Sequence, residues 1–91
     1  MNIKVNSTLM IPIYEQIVDQ IKTLIRIGKL EENDMLPSVR SLSKELKISA
    51  LTVKKAYDYL VLQTTASTRT QISFVNRSAG IFVQFKNIIN T

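Results

Sequence analysis

Ile13, Ile17, Ile21 and Leu24 recur every three or four residues, and Val18 and Ile25 widen the stripe they make. That spacing is the period of an α-helix with one apolar face. Pro12 suits the first turn, where a missing N–H costs nothing, and Glu15 and Asp19 lie near the positive end of the helix dipole. Gly28 suits the stop. A helix is therefore expected over residues 12–27, its broad stripe leaving Val18, Ile25 or Ile27 for a partner. Two shorter stripes follow. Val39, Leu42 and Leu46 begin after Ser38, and Val53, Ala56, Tyr57 and Leu60 begin after Ser49. Each serine can cap the helix it precedes. The expected helices, 38–46 and 49–62, leave only Lys47 and Ile48 as a corner. Helices this short are marginal alone in water, so each depends on its neighbours.

Elsewhere the pattern changes. Residues 1–11 read as an extended arm, with Ile3-Lys4-Val5 allowing a short strand. Gly28 to Pro37 is a connection in which Asn33 tolerates a left-handed backbone and Asp34-Met35-Leu36 allows another short strand. Thr64 to Thr70 is polar and reads as a loop. After it the period falls to two, in Gln71 to Val75 and again in Ile81 to Phe85, with Asn76 to Gly80 between them as a linker of hairpin length. The chain divides into an arm (1–11), a folded domain (12–85) and a tail (86–91).

Three helices and then a hairpin, with a tight corner between the second and third helices, is the order of a winged helix-turn-helix. The fold class is α+β, mainly α. The corner lets the second helix brace the third across a shared core, so that the outer face of the third projects. Ala50, Leu51, Lys54 and Asp58 lie on that face, flanked by Thr52 and Lys55. Small and basic side chains near a helix N-terminus suit a DNA major groove.

Composition narrows the function without changing this picture. Ninety-one residues, 45% of them hydrophobic, can build one core. Cysteine and histidine are absent, which removes disulfides, zinc sites and Ser-His or Cys-His catalysis. Glu31, Glu32 and Asp34, beside Asn33, read as a solvated turn, so an enzyme is not expected. No apolar run approaches the ~18 residues of a membrane span. The first residues do not form a signal peptide, which fits the cytoplasm. Charge is unevenly spread: residues 1–35 hold four Lys/Arg against five Asp/Glu, whereas residues 36–91 hold eight against two. A basic half suggests a polyanionic partner.

At the helices the chain also resembles a known family. Pro12-Ile13-Tyr14-Glu15-Gln16-Ile17, Leu36-Pro37-Ser38-Val39-Arg40-Ser41-Leu42 and Thr52-Val53-Lys54-Lys55-Ala56-Tyr57 resemble the N-terminal domain of GntR-family transcription regulators, most closely the YtrA-type branch. The resemblance implies sequence-specific binding of double-stranded DNA in a bacterial regulator, a repressor by class, with no cofactor, metal or catalytic residue. It implies DNA contact for Ser38 and Arg40, the arginine on phosphate, and reading of bases and backbone by Ser49, Ala50, Leu51, Thr52, Lys54 and Lys55. Ser78-Ala79-Gly80-Ile81-Phe82-Val83 resembles the family's wing, which adds Gly80. Arg77 at the hairpin tip is either a groove or phosphate contact or a solvated turn residue. The chain departs from the family where arginine often replaces Ala50 and Lys54, and in the long, glycine-free stretch from Gln63 to Val75. It ends at Thr91, before the helical region that pairs YtrA-type proteins. A weak homodimer at most is therefore expected, through apolar residues of the first helix or the arm.

Blander readings stand beside these. A single arginine is usually solvated, and adjacent lysines are usually an exposed face. Tyr57 belongs to the apolar stripe and reads as core rather than as a stacking platform, with Tyr14 and Tyr59 open to either role. A winged helix can also serve as a protein-interaction module, which forms the alternative function.

Overall fold

The computed structural model describes residues 2–63, 65–66 and 70–87. Three helices come first: α1 (Ile13–Arg26), α2 (Val39–Leu46) and α3 (Ala50–Leu62). Three strands follow, β1 (Thr65–Ala66), β2 (Thr70–Arg77) and β3 (Gly80–Asn87), in an antiparallel sheet of order β1-β2-β3. The winged helix-turn-helix order is present, and every helix stands within a residue of the bounds its apolar stripe set.

One core joins the three helices, β2 and β3. Ile17, Ile21, Leu42, Val53, Ala56 and Val83 are fully buried, with Leu60, Leu36 and Phe74 nearly so. Burying such a side chain is worth about 1.5–3 kcal/mol each, which is what holds short helices together. Val18 and Ile25, expected to be free for a partner, are buried at 3% and 7% exposure; only Ile27, at 61%, stays out. The wide stripe on α1 is used on two sides, because α3 packs against it and the arm lies along it.

Among its described residues the arm forms no strand, and it is part of the fold. Ile3 is buried in the common core and Val5 packs against it. Lys4 and Asn6, the alternate residues, are gripped by two glutamines one helical turn apart. The Asn6 N–H donates to Gln16 Oε1 at 2.8 Å, and Gln16 Nε2 donates back to the Asn6 carbonyl at 3.0 Å and to the Ile11 carbonyl at 2.9 Å. The Lys4 N–H donates to Gln20 Oε1 at 2.8 Å, and Gln20 Nε2 returns a bond to the Lys4 carbonyl. Side-chain amides thus supply what a neighbouring strand would supply. Gln16 is buried at 7% exposure, and these bonds satisfy its amide.

The corner between α2 and α3 is as short as expected. Lys47 takes a left-handed conformation (φ 58, ψ 46), and its N–H and that of Ile48 both reach the Ser43 carbonyl. For a side chain other than glycine this costs about 1–2 kcal/mol, offset by those bonds and by the half-buried Ile48. Ser38 and Ser49 cap as read, accepting from the Ser41 N–H at 3.0 Å and the Leu51 N–H at 3.1 Å. At the end of α1, Gly28 carries φ 79.

The wing differs in detail. Its linker is not five residues but the two-residue turn Ser78-Ala79, since Arg77 pairs with Gly80. The strands are correspondingly longer, and Lys86 and Asn87, set apart by the sequence as the start of a tail, pair with Gln71 and Thr70. Thr65 and Ala66, read as loop, pair with Ile72 and Gln71. The rest of that loop (64 and 67–69) and of the tail (88–91) lies outside the described residues. On the other edge the acidic connection adds a rung. Asn33, at φ 72, donates its N–H to the Val83 carbonyl at 2.8 Å. The Val83 N–H donates to Asp34 at 2.9 Å, and Met35 bridges Phe82. The solvated acidic turn is therefore also what ties the wing to the helices.

Candidate nucleic-acid interface

The start of α2, the outer face of α3 and the wing tip converge on one open cleft of about 390 Å³. Ser38, Lys54, Asp58, Asn76 and Gly80 line it, over a floor that includes Tyr57. Tyr57 is buried at 3% exposure and donates its hydroxyl proton to the Pro37 carbonyl at 2.7 Å. Burial, with a smaller push from Glu45, raises the phenol well above its ordinary range, so it remains a donor. That bond fixes α3 to the residue just before the Ser38 cap. Tyr57 is core, as the stripe indicated.

Of the residues picked from the sequence, Ser38, Lys54 and Gly80 meet at this cleft. Arg40 lies in the first turn of α2 and is exposed. Ser49, Ala50 and Leu51 form the exposed start of α3, and Leu51 is 77% accessible with nothing apolar covering it. Thr52 is half-buried between them. Ser38 and Ser49 use oxygen lone pairs as caps and keep a hydroxyl proton to donate. Lys55 does not project with Lys54: its ammonium lies 4.3 Å from the centre of the Tyr14 ring, which in turn meets Tyr59 edge-on at 6.2 Å. Arg77 lies over the Phe82 ring at 5.4 Å, held on the wing rather than loose at its tip.

Gly80 is fixed by geometry. Its φ is 146, and a Cβ there would stand 3.0 Å from Met35 Sδ. Three participants were not picked as site residues: Asp58, whose Oδ2 stands 2.9 Å from Lys54 Nζ, Asn76 in the cleft, and Tyr14 beneath Lys55. The four-residue spacing of Lys54 and Asp58 was a usable signal; nothing in the sequence pairs Tyr14 with Lys55. Among the described residues no group of acidic side chains is arranged to hold a metal ion, and no helix is long and apolar enough to cross a membrane.

Comparison with known proteins bears on the fold and the family. YtrA from Sulfolobus acidocaldarius, a GntR-family transcription factor, superposes with a TM-score of 0.79 and 37% identity, over 96% of this chain and 68% of that one. The DNA-binding domain of AraR, in a structure with operator ORE1, superposes with a TM-score of 0.62 and 25% identity, over 91% of this chain and 93% of that one. The transcriptional repressor YtrA of Bacillus subtilis (strain 168) is 41% identical over 66 residues, which is 68% of this chain and 51% of the repressor. The chain spans about half or less of the length of the curated relatives it matches. The family described as "Bacterial regulatory proteins, gntR family" matches residues 13–75, from the start of α1 into β2. With the fold, the corner and the motif residues all in place, the chain belongs to the GntR family.

Proposed function

We propose that this domain binds double-stranded DNA and serves a bacterial transcription regulator of the repressing kind. The start of α3 would enter the major groove, with Arg40 on the phosphate backbone and the wing beside it. The observation that carries this reading is the exposed start of α3, left open beside a cleft shared with the α2 cap and the wing. The likeness to an operator-bound domain supports it. Ser49, Ala50, Leu51, Thr52 and Lys54 are assigned to bases and adjacent backbone, and Ser38, Lys55, Arg77 and Gly80 to positioning or phosphate contact. Ala50 and Leu51 can read apolar base surface such as a thymine methyl, but not guanine, which calls for a bidentate arginine or lysine.

Arg40→Ala is expected to weaken binding to all duplexes alike and to flatten the slope of log affinity against log salt by about 0.9, the loss of one phosphate contact. Fluorescence anisotropy over a salt series reads both quantities. An unchanged slope would remove Arg40 from the interface.

A second reading, docking to protein, is favoured by one observation. Leu9, Met10 and Ile11 are consecutive and 50%, 99% and 46% exposed. They are held on a turn in which Asn6 Oδ1 accepts from the Thr8 N–H at 3.0 Å. A second copy of the chain is one occupant for that patch. If protein docking is the whole function, duplex binding shows no salt slope.

A further inference from the structure

The adjacent lysines of α3 have partners of different kinds. Lys54 meets a carboxylate, with Asp58 Oδ2 2.9 Å from its ammonium. Lys55 meets a ring, its ammonium 4.3 Å from the centre of Tyr14. Among the described residues no carboxylate lies within ion-pair distance of Lys55. A carboxylate offsets the charge it holds, whereas a neutral ring attracts a cation through its quadrupole and leaves the full charge on the surface. An ammonium carries three rotatable N–H donors, so a ring against one side leaves the others for an acceptor. Tyr14 is itself well held: it lies in the first turn of α1, packs half-buried on the core, and meets Tyr59 edge-on at 6.2 Å. The contact brings the start of α1 beside the second turn of α3, next to the lysine that lines the cleft with the wing.

Resting on the DNA-binding reading above, we propose that Tyr14 is a positioning residue that holds the Lys55 ammonium ready for a phosphate of the bound duplex. A free lysine side chain spreads over many rotamers, and fixing it on a phosphate costs affinity. On the ring, part of that ordering is done before the duplex arrives. As phosphate displaces water from the ammonium, its attraction to the ring strengthens, so the contact favours the bound state over the free one. By linkage, losing the ring weakens binding by no more than the attraction itself, which at an exposed site is about two- to fivefold. Phosphates recur at every base pair, so the loss falls on all duplexes alike.

The test is anisotropy over a salt series with two duplexes, one selected by the wild-type chain from a random pool and one a scramble of it. Tyr14→Phe keeps the ring and is expected to bind both within about 1.5-fold of wild type. A trifluorinated phenylalanine at the same position keeps the shape, so folding is not at issue, but loses the quadrupole. It and Tyr14→Leu are each expected to weaken both duplexes about threefold. Their salt slopes are expected to stay unchanged, since Lys55 still reaches phosphate, whereas Lys55→Gln flattens the slope by about 0.9. In a Lys55→Gln background the ring substitutions are expected to matter less than about 1.5-fold. In NMR spectra the Lys55 ε-methylene protons, shifted upfield by the ring in the wild type, are expected to return to ordinary values in Tyr14→Leu. Tighter binding by Tyr14→Leu would mean that the ring withholds Lys55, and a loss in Tyr14→Phe would assign the contact to the hydroxyl. A loss undiminished in the Lys55→Gln background would make Tyr14 act without Lys55. Each of these overturns the proposal, as does wild-type affinity in the fluorinated chain. If the wild-type chain binds neither duplex with any salt dependence, the DNA-binding reading falls and takes this one with it. If Arg40→Ala lowers the slope while Lys55→Gln matches wild type, only the role of Tyr14 and Lys55 is lost.

Discussion

Leu42→Ala is expected to lower the free energy of unfolding by about 2–5 kcal/mol, the range for removing a buried leucine and leaving a cavity. Leu42 is the one fully buried residue of α2, a helix of only eight residues. Val39 and Leu46 lie only partly covered beside it. A helix of that length has no independent stability, so its docking onto α3 depends on this side chain more than on any other it owns. A domain of this size holds roughly 5–10 kcal/mol in all, so the change removes a large share. Urea unfolding followed by circular dichroism measures it. Leu51→Ala removes the same atoms from a residue 77% exposed and is expected to move stability by less than about 0.5 kcal/mol. If the two variants unfold alike, Leu42 is not the anchor of α2.

Gly80→Ala is expected to cost about 1–3 kcal/mol, because φ 146 is a conformation that side chains rarely adopt. The added methyl must also displace Met35 Sδ from 3.0 Å. Because that sulfur ends a flexible side chain, the backbone strain is the larger part. The effect is local to the wing: Gly80 closes the hairpin opposite Arg77, and Met35 forms the bridge to Phe82. Amide hydrogen exchange should therefore show faster exchange at Leu36 and Val83, whose N–H groups cross this seam, while amides within α1 change only as far as global stability falls. Uniform acceleration across the chain would show that the wing is not a separate unit of strain.

The helices were legible because each has one apolar face, and one face at a fixed period is all that sequence reading needs. Ser38 and Ser49 were legible as caps for the same reason: the side chain acts on its own backbone. What escaped depended on partners remote in sequence. Ile3-Lys4-Val5 alternates like a strand, yet Lys4 pairs with Gln20 and the nearby Asn6 with Gln16, both on a helix, and no pattern of strands announces that. The same contact reverses the reading of Val18 and Ile25, which looked surplus to one helix face until the arm and α3 were both laid against α1. Lys47 holds a left-handed corner that glycine or asparagine would have advertised. In the candidate interface, residue type and order named the two lysines but not their neighbours: Lys55 lies over Tyr14, a helix away, and Lys54 pairs with Asp58.

The seam between the wing and the acidic connection has a consequence in time. α2 and α3 close across a corner of a few residues, whereas Met35 finds Phe82, and Asn33 finds Val83, only after the intervening stretch, just over half the chain, has been gathered in. Closing longer loops costs more entropy and tends to come later. Refolding should thus pass through a barrier at which the helices are largely assembled and the seam is still open. In stopped-flow measurements Leu42→Ala would then mainly slow folding, whereas Gly80→Ala would mainly hasten unfolding. The helix proposed to enter the groove acquires its shape first, and the wing that works beside it arrives afterwards.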